Sequence, residues 1–144
     1  MASWMNFCLV TLLVIVGMAR CEDEDAGKQQ HLKIKETCAK LLSVPEEMRT
    51  KYFAHEYPEE HDTYCFIRCV SILHDNYDDE TGPNFESIHR WFNDGTALED
   101  FTTQHQDCAE RGNEVEEGKK PCKCRKAFRT MMCFRDKLHN KSKA

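Results

Sequence analysis

Nine cysteines dominate the chemistry that this 144-residue sequence could perform. Two of them, Cys65 and Cys69, lie four residues apart in the run CFIRC, a spacing that places both thiols on one face of a helix. A bond between them would constrain almost nothing outside that helix, whereas bonds to two other helices would make this helix a hub. Each such bond closes a long loop and adds roughly 2–4 kcal/mol of stability. The pair therefore predicts cross-links between helices.

Two other clusters match metal sites poorly. Residues 122–124 (CKC) and His139 lack the usual zinc spacing and a second ligand pair. Residues 75–86 (DNYDDETGPNFE) begin and end like a calcium loop. Tyr77 stands where that loop needs a ligand, Glu80 stands where it needs glycine, and a proline interrupts it. The sequence therefore predicts no metal site.

Histidine–aspartate pairs at 61–62 and 74–75 are the remaining candidates for catalysis. Secreted phospholipases combine such a pair with a glycine-rich calcium loop and adjacent cysteines, and this sequence has neither. No nucleophile, base and orienting group stand together as acyl transfer requires. We therefore predict no enzymatic activity and no cofactor; a secreted hydrolase is the enzyme alternative.

The amino-terminal segment predicts export. Phe7 to Met18 is a stretch of twelve almost uninterrupted apolar residues, shorter than the roughly 20 residues of a membrane span and typical of a secretory signal. Small residues allow cleavage after Ala19 or after Cys21, and we favour the second. Residues 1–21 are then a signal peptide and residues 22–144 one helical domain. The expected location is secreted and extracellular, where cysteines pair as disulfides.

Between the prolines and glycines, apolar residues recur at helical spacing. Pro45 suits the first turn of a helix, and Asn84 is a candidate cap. No alternating run of β-branched residues occurs, so we predict no strands and an all-α fold of about six helices. The periodic positions are Ile34, Cys38, Leu41 and Leu42; Met48, Tyr52 and Phe53; Phe66, Cys69, Val70, Leu73 and Tyr77; Phe85, Ile88, Trp91 and Phe92; Leu98, Phe101, His105 and Cys108; and Ala127, Met131, Phe134 and Leu138.

Charge is divided unevenly along the chain. Residues 22–118 carry 9 Lys/Arg against 24 Asp/Glu. Residues 119–144 carry 10 Lys/Arg against a single acidic residue, Asp136. A basic tail can indicate nucleic-acid or anionic-membrane binding, but an exported location argues against nucleic acid. The simpler interpretation is that the basic final helix lies against the acidic body of the same molecule. The tail after Cys133 is expected to fray at the surface rather than to enter the interior, because burying unpaired lysines is costly.

Six cysteines follow the spacing C-x26-C-x3-C-x38-C-x15-C-x8-C. In an exported, all-helical chain of this length, that pattern resembles the insect odorant-binding and pheromone-binding protein family over about residues 30 to 135. The resemblance implies a pairing that the residues alone leave open. The implied bridges are Cys38–Cys69, Cys65–Cys124 and Cys108–Cys133.

The remaining cysteines depart from that pattern. Cys122 is extra, and the x8 spacing favours Cys124 over it as the fifth cysteine. If the signal is cut after Ala19, Cys21 survives and could pair with Cys122. If it is cut after Cys21, Cys122 is an odd thiol, free or intermolecular.

The resemblance implies a carrier in which helices surround an apolar cavity for a small hydrophobic ligand. Such cavities are lined by aromatic and aliphatic side chains, and methionine adapts to several ligand shapes. For any single candidate, a place in a solid core is the more common outcome, and the resemblance is what favours a cavity. Tyr77 or a histidine would orient the ligand. The candidate lining residues are Leu73, Tyr77, Ile88, Trp91, Phe92, Phe101, Phe128, Met131 and Met132.

We therefore predict a secreted, non-enzymatic carrier of odorants, pheromones or similar hydrophobic molecules, as a monomer or homodimer. A chemosensory receptor or a membrane surface is a candidate further partner. The alternative is a secreted interaction or scavenger protein of the same fold, in reproductive or salivary fluid, without odorant transport. Seven histidines follow the signal, and release on acidification, as described for pheromone carriers, is a hypothesis.

Overall fold

A computed structural model describes residues 26–92, 95–114 and 122–141. These residues form six helices and one two-stranded ribbon: α1 (26–41), α2 (Glu46–Phe53), α3 (His61–Leu73), β1 (Tyr77–Asp78), β2 (Gly82–Pro83), α4 (Phe85–Phe92), α5 (Leu98–Arg111) and α6 (Lys123–Lys141). The all-α prediction is confirmed. The predicted signal peptide and both of its cleavage points lie outside the described residues.

The chain groups into two compact units, Met1–Ile34 and Lys35–Ala144. Residues 26–34 are the part of the first unit that the structure describes, and they are helical. The second unit holds the end of α1 and all later elements. No helix within the described ranges is long and apolar enough to cross a membrane.

In the second unit, α6 packs against both α3 and α5, and α4 packs against α5. The main apolar cluster, contributed by α4, α5 and α6, consists of Ile88, Phe101, Cys108, Cys133, Phe134 and Leu138. A second contact joins α2 to α3, where the rings of Tyr52 and Phe66 stack at 4.3 Å. Burial of these side chains supplies the main driving force for the packing of this unit.

Local sequence signals begin two of the helices. Pro45 precedes α2, and its carbonyl oxygen accepts the hydrogen bond of Arg49 N at 2.8 Å. Asn84 caps α4, because its Oδ1 accepts a bond from Ser87 N at 3.2 Å. The predicted cap at Asn84 is confirmed, whereas Pro45 stands at the N-cap position, one residue before the first turn in which it was predicted.

The prediction of no strands is wrong for residues 77–83. The α3 helix ends at Leu73, so Tyr77 does not continue its apolar face but pairs with Pro83 across the ribbon. The Oδ1 of Asp78 accepts bonds from the backbone N–H groups of Glu80 and Thr81 at 2.8 and 2.9 Å. A side chain that captures its own backbone in this way makes a tight turn instead of a helix. The acidic segment that imitates a calcium loop is therefore a hairpin turn.

The basic final helix pairs with acids of the same molecule, as predicted. Lys123 Nζ lies 3.6 Å from a carboxylate oxygen of Asp79, and Lys137 Nζ lies 2.5 Å from one of Asp107. The predicted fraying after Cys133 is wrong for residues 134–141, which remain helical. The reason is that Phe134 belongs to the buried cluster while Lys137 has a partner, so continuing the helix buries apolar surface without isolating a charge.

Candidate functional site

Three disulfides tie the helices together around α3 and α6. Cys38–Cys69 joins α1 to α3 with a Cα–Cα distance of 5.9 Å, and Cys65–Cys124 joins α3 to α6 at 4.6 Å. The third, Cys108–Cys133, joins α5 to α6 at 5.4 Å. The two cysteines of CFIRC therefore bond to different helices, and the pairs are those that the family resemblance implied.

The extra cysteine, Cys122, forms no disulfide within the described part of the chain. It is half-buried and immediately precedes α6. Its alternative partner, Cys21, lies outside the described residues.

Four of the nine predicted lining residues lie in or against the main cluster of the second unit. Ile88 and Phe101 are fully buried in the main cluster, against which Phe92 and Met131 pack. Phe128 is also buried, and its ring lies 4.6 Å from that of Tyr64 on α3. The main cluster therefore joins α4, α5 and α6, while Phe128 makes a separate aromatic contact between α6 and α3.

Two predicted lining residues face solvent instead. Leu73 is 47% exposed and Trp91 is 42% exposed, while Met132 is half-buried. Leu73 is the last residue of α3, and the Trp91 ring lies 4.8 Å from that of His74 just beyond it. Periodicity places both residues on apolar helix faces, yet each keeps more than a third of its surface exposed.

Sequence reasoning omitted three residues from the lining set that the structure places in or against the main cluster. Phe134 is fully buried, and Phe85 packs beside it with ring centroids 5.6 Å apart. His105 stacks on Phe101 at 4.3 Å, and its Nδ1 lies 2.8 Å from the Phe101 carbonyl oxygen, so Nδ1 carries the proton. The same helical spacing that selected Met131 and Phe101 also selects Phe134 and His105, so this signal was available.

Tyr77, one of the polar groups predicted to orient a ligand, is a buried phenol on the ribbon between α3 and α4. Its side chain is 3% exposed, and burial raises its pKa to about 12. The hydroxyl has no hydrogen-bond partner among the described residues. Tyr77 therefore stays protonated at physiological pH and presents an unused donor.

A second unusual group is Lys35 of α1, whose side chain reaches the last turn of α2. Its side chain is 1% exposed, and burial lowers its pKa to about 8. Its Nζ donates a hydrogen bond to the Tyr52 carbonyl oxygen at 2.6 Å. The same nitrogen lies 5.2 Å from the ring centre of Phe53 and 5.7 Å from that of Tyr57. A cation at the last carbonyls of α2 complements the helix dipole, which gives Lys35 a structural role.

The fold and cysteine framework define a class of small helical proteins cross-linked by three disulfides around an apolar interior. The sequence matches the profile of the PBP/GOBP family over residues 22–137. The chain therefore belongs to the PBP/GOBP family, and it is a non-enzymatic protein.

Individual relatives are consistent with this membership. General odorant-binding protein 99a of Drosophila melanogaster is 32% identical over 81 residues, which cover 56% of this chain and 57% of the relative. The match thus spans little more than half of that relative. Odorant-binding protein 22 of Aedes aegypti is 22% identical over 125 residues, covering 87% of this chain and 86% of the relative.

Solved structures share the fold. Odorant-binding protein 22a of Anopheles gambiae superposes with a TM-score of 0.61 at 24% identity, covering 74% of this chain and 97% of that one. A structure of the same Anopheles protein with bound cyclohexanone gives a TM-score of 0.62, covering 74% of this chain and 90% of that one.

Proposed function

We propose that this chain is a secreted carrier that binds small hydrophobic ligands, such as odorants or pheromones, in an apolar cavity formed by α3 to α6. The observation that supports this most strongly is the concentration of buried aromatic and aliphatic side chains where α4, α5 and α6 meet. Family membership and the cyclohexanone bound to the Anopheles protein add support.

Binding is non-covalent and driven by burial of apolar ligand surface. At about 25 cal/mol per Å2, a ligand that buries about 200 Å2 gains about 5 kcal/mol before the entropy costs of association. The disulfides contribute because they stabilise a small domain in which a bound ligand would take the place of part of the core. The cross-links Cys65–Cys124 and Cys108–Cys133 both end on α6, the helix that supplies much of the interior.

Displacement of a fluorescent apolar probe tests the proposal. N-phenyl-naphthylamine should bind the refolded protein at one saturable site with micromolar affinity. Phe92→Ala, which alters a residue packed on the main cluster, should change that affinity. Leu41→Ala is the matched control because Leu41 is 70% exposed. Absence of saturable binding in a protein with native circular dichroism and three intact disulfides would instead favour the interaction or scavenger protein.

Release on acidification is a second part of the proposal. Burial lowers the pKa of His74, whose ring lies against Trp91. The folded state therefore resists protonation of His74, and the stability that its neutral form provides is lost as the pH falls below about 6.5. The probe should bind more weakly at pH 5 than at pH 7, and equal affinities would remove the switch.

A further inference from the structure

The hydroxyl of Tyr77 is a buried polar group whose partner the described residues do not supply. The side chain is 3% exposed, and its oxygen has no hydrogen-bond partner among those residues. Leaving a buried donor unsatisfied costs about 1–3 kcal/mol, and such groups are uncommon in folded proteins. The position of this hydroxyl therefore needs an explanation.

The other buried tyrosine in this unit, Tyr52, has a partner for its hydroxyl, as does the half-buried Tyr57. Tyr52 is fully buried, and its hydroxyl lies 2.9 Å from Thr63 Oγ1. Tyr57 places its hydroxyl 3.5 Å from His55 Nδ1. Tyr77 differs from both, so its unused hydroxyl is a particular feature of the ribbon that carries it.

The backbone around Tyr77 is held firmly. Tyr77 pairs with Pro83 across the ribbon, and the Asn84 N–H donates to the Asn76 carbonyl oxygen at 2.9 Å. Beyond the ribbon turn, Arg68 of α3 holds Asp79 through Nε at 2.8 Å and through a second bond from its Nη2. These contacts fix the phenol in place before any ligand arrives, which lowers the entropy cost of using it.

The neighbouring charges favour a neutral acceptor. Arg68 and Asp79 are paired with each other, so neither of these two charges is left to hold an ionic ligand. The phenol itself remains protonated, since burial and the nearby Asp79 both raise its pKa. A neutral oxygen such as that of a ketone, aldehyde or ester accepts a hydrogen bond from such a donor.

We infer that the Tyr77 hydroxyl donates a hydrogen bond to a carbonyl oxygen of the bound ligand, so that the carrier prefers carbonyl compounds to hydrocarbons of the same shape. The inference rests on the proposed carrier function and names the ligand class that the cavity selects. Tyr77 is then the residue that determines this preference, while the apolar cluster supplies most of the affinity.

A pair of isosteric ligands separates these two contributions. Cyclohexanone and methylidenecyclohexane differ in having an oxygen or a CH2 group at one position. In displacement of N-phenyl-naphthylamine, the wild-type protein should bind the ketone more tightly. Tyr77→Phe should weaken ketone binding about three- to tenfold and change hydrocarbon binding by less than about twofold. Tyr52→Phe, which removes a hydroxyl that already has a partner, should leave the ketone preference unchanged.

Unfolding of the ligand-free protein gives an independent measurement. Tyr77→Phe should be at least as stable as wild type, because it removes an unsatisfied hydroxyl, whereas Tyr52→Phe should be less stable. The inference would be overturned if Tyr77→Phe kept the preference for the ketone. It would also be overturned if Tyr77→Phe were clearly less stable than wild type, because the Tyr77 hydroxyl would then already have a buried water as its partner. If both ligands bind equally to wild type and variant, the carrier function stands and the inference fails. If neither ligand nor the probe binds wild type, both fail.

Discussion

Lys35 should make the stability of this protein rise between pH 7 and pH 9. The amine is buried beneath Tyr52, Phe53 and Tyr57, and burial lowers its pKa from 10.5 to about 8. The unfolded chain therefore binds a proton that the folded protein has already released. Because stability increases with pH wherever the unfolded state carries more protons, the free energy of unfolding should increase in this range.

The magnitude follows from the two pKa values. Between pH 7 and pH 9 the gain is about 1 kcal/mol, since the folded amine loses most of its proton while the unfolded amine keeps it. Above about pH 10 the trend reverses. Burial raises the pKa values of Tyr57 and Tyr77 to about 12, so there the unfolded state loses protons that the folded state retains. Stability should therefore be greatest between about pH 9 and pH 10.

Urea denaturation at intervals across this range measures the effect, with Cys122 alkylated to prevent disulfide exchange. Lys35→Met keeps an extended side chain but removes the titrating group, so its free energy of unfolding should be nearly constant from pH 7 to pH 9. Lys51→Met is the control, because Lys51 pairs with Glu47, which raises its pKa. A rise that persists undiminished in Lys35→Met would refute the argument.

Three further substitutions test the packing, each by urea denaturation. Gly112→Ala would bring a Cβ into collision with Thr130 Oγ1 and should cost about 1–3 kcal/mol. Adding Thr130→Ala should recover part of this loss, and an undiminished loss in the double variant would contradict the assigned clash. Phe134→Ala removes a fully buried ring and should cost about 3–5 kcal/mol, so a loss comparable to that of a surface substitution would mean that the cluster is loosely packed. Replacing Cys38 and Cys69 together by alanine opens a cross-link spanning 31 residues and should cost about 2–4 kcal/mol; unchanged stability would show that this bridge does not constrain the unfolded chain.

Local patterns predicted the helices well and their ends less well. The spacing of apolar residues identified all six helices, and Asn84 marked the start of α4. The end of α3 was misplaced because Tyr77 fits the helical repeat. Asp75 instead takes a positive φ of 58°, and the side chain of Asp78 closes a turn. Both features are local backbone conformations, but the pairing of Tyr77 with Pro83 stabilises them. The spacing of apolar residues carries no information about that pairing.

The predicted residues of the candidate site likewise fall into a buried group and an exposed group. Ile88 and Phe101 were selected from helical spacing and are buried, whereas Leu73 and Trp91 satisfy the same spacing and remain exposed. Spacing defines which side of a helix is apolar. Whether that side is covered depends on where the neighbouring helices end.

Residue types and intervals were sufficient to establish the all-helical class, the hub role of α3 and the balance of charge between α6 and the acidic body. All of these depend on distances along the chain or on total charge. Three-dimensional packing alone established that Lys35 lies under aromatic rings, that the Tyr77 hydroxyl has no partner among the described residues and that Gly112 lies against Thr130. The reason is that burial and hydrogen bonding join groups that are far apart in the sequence. Spacing along the chain does not reveal these contacts, because they exist only once the helices have packed.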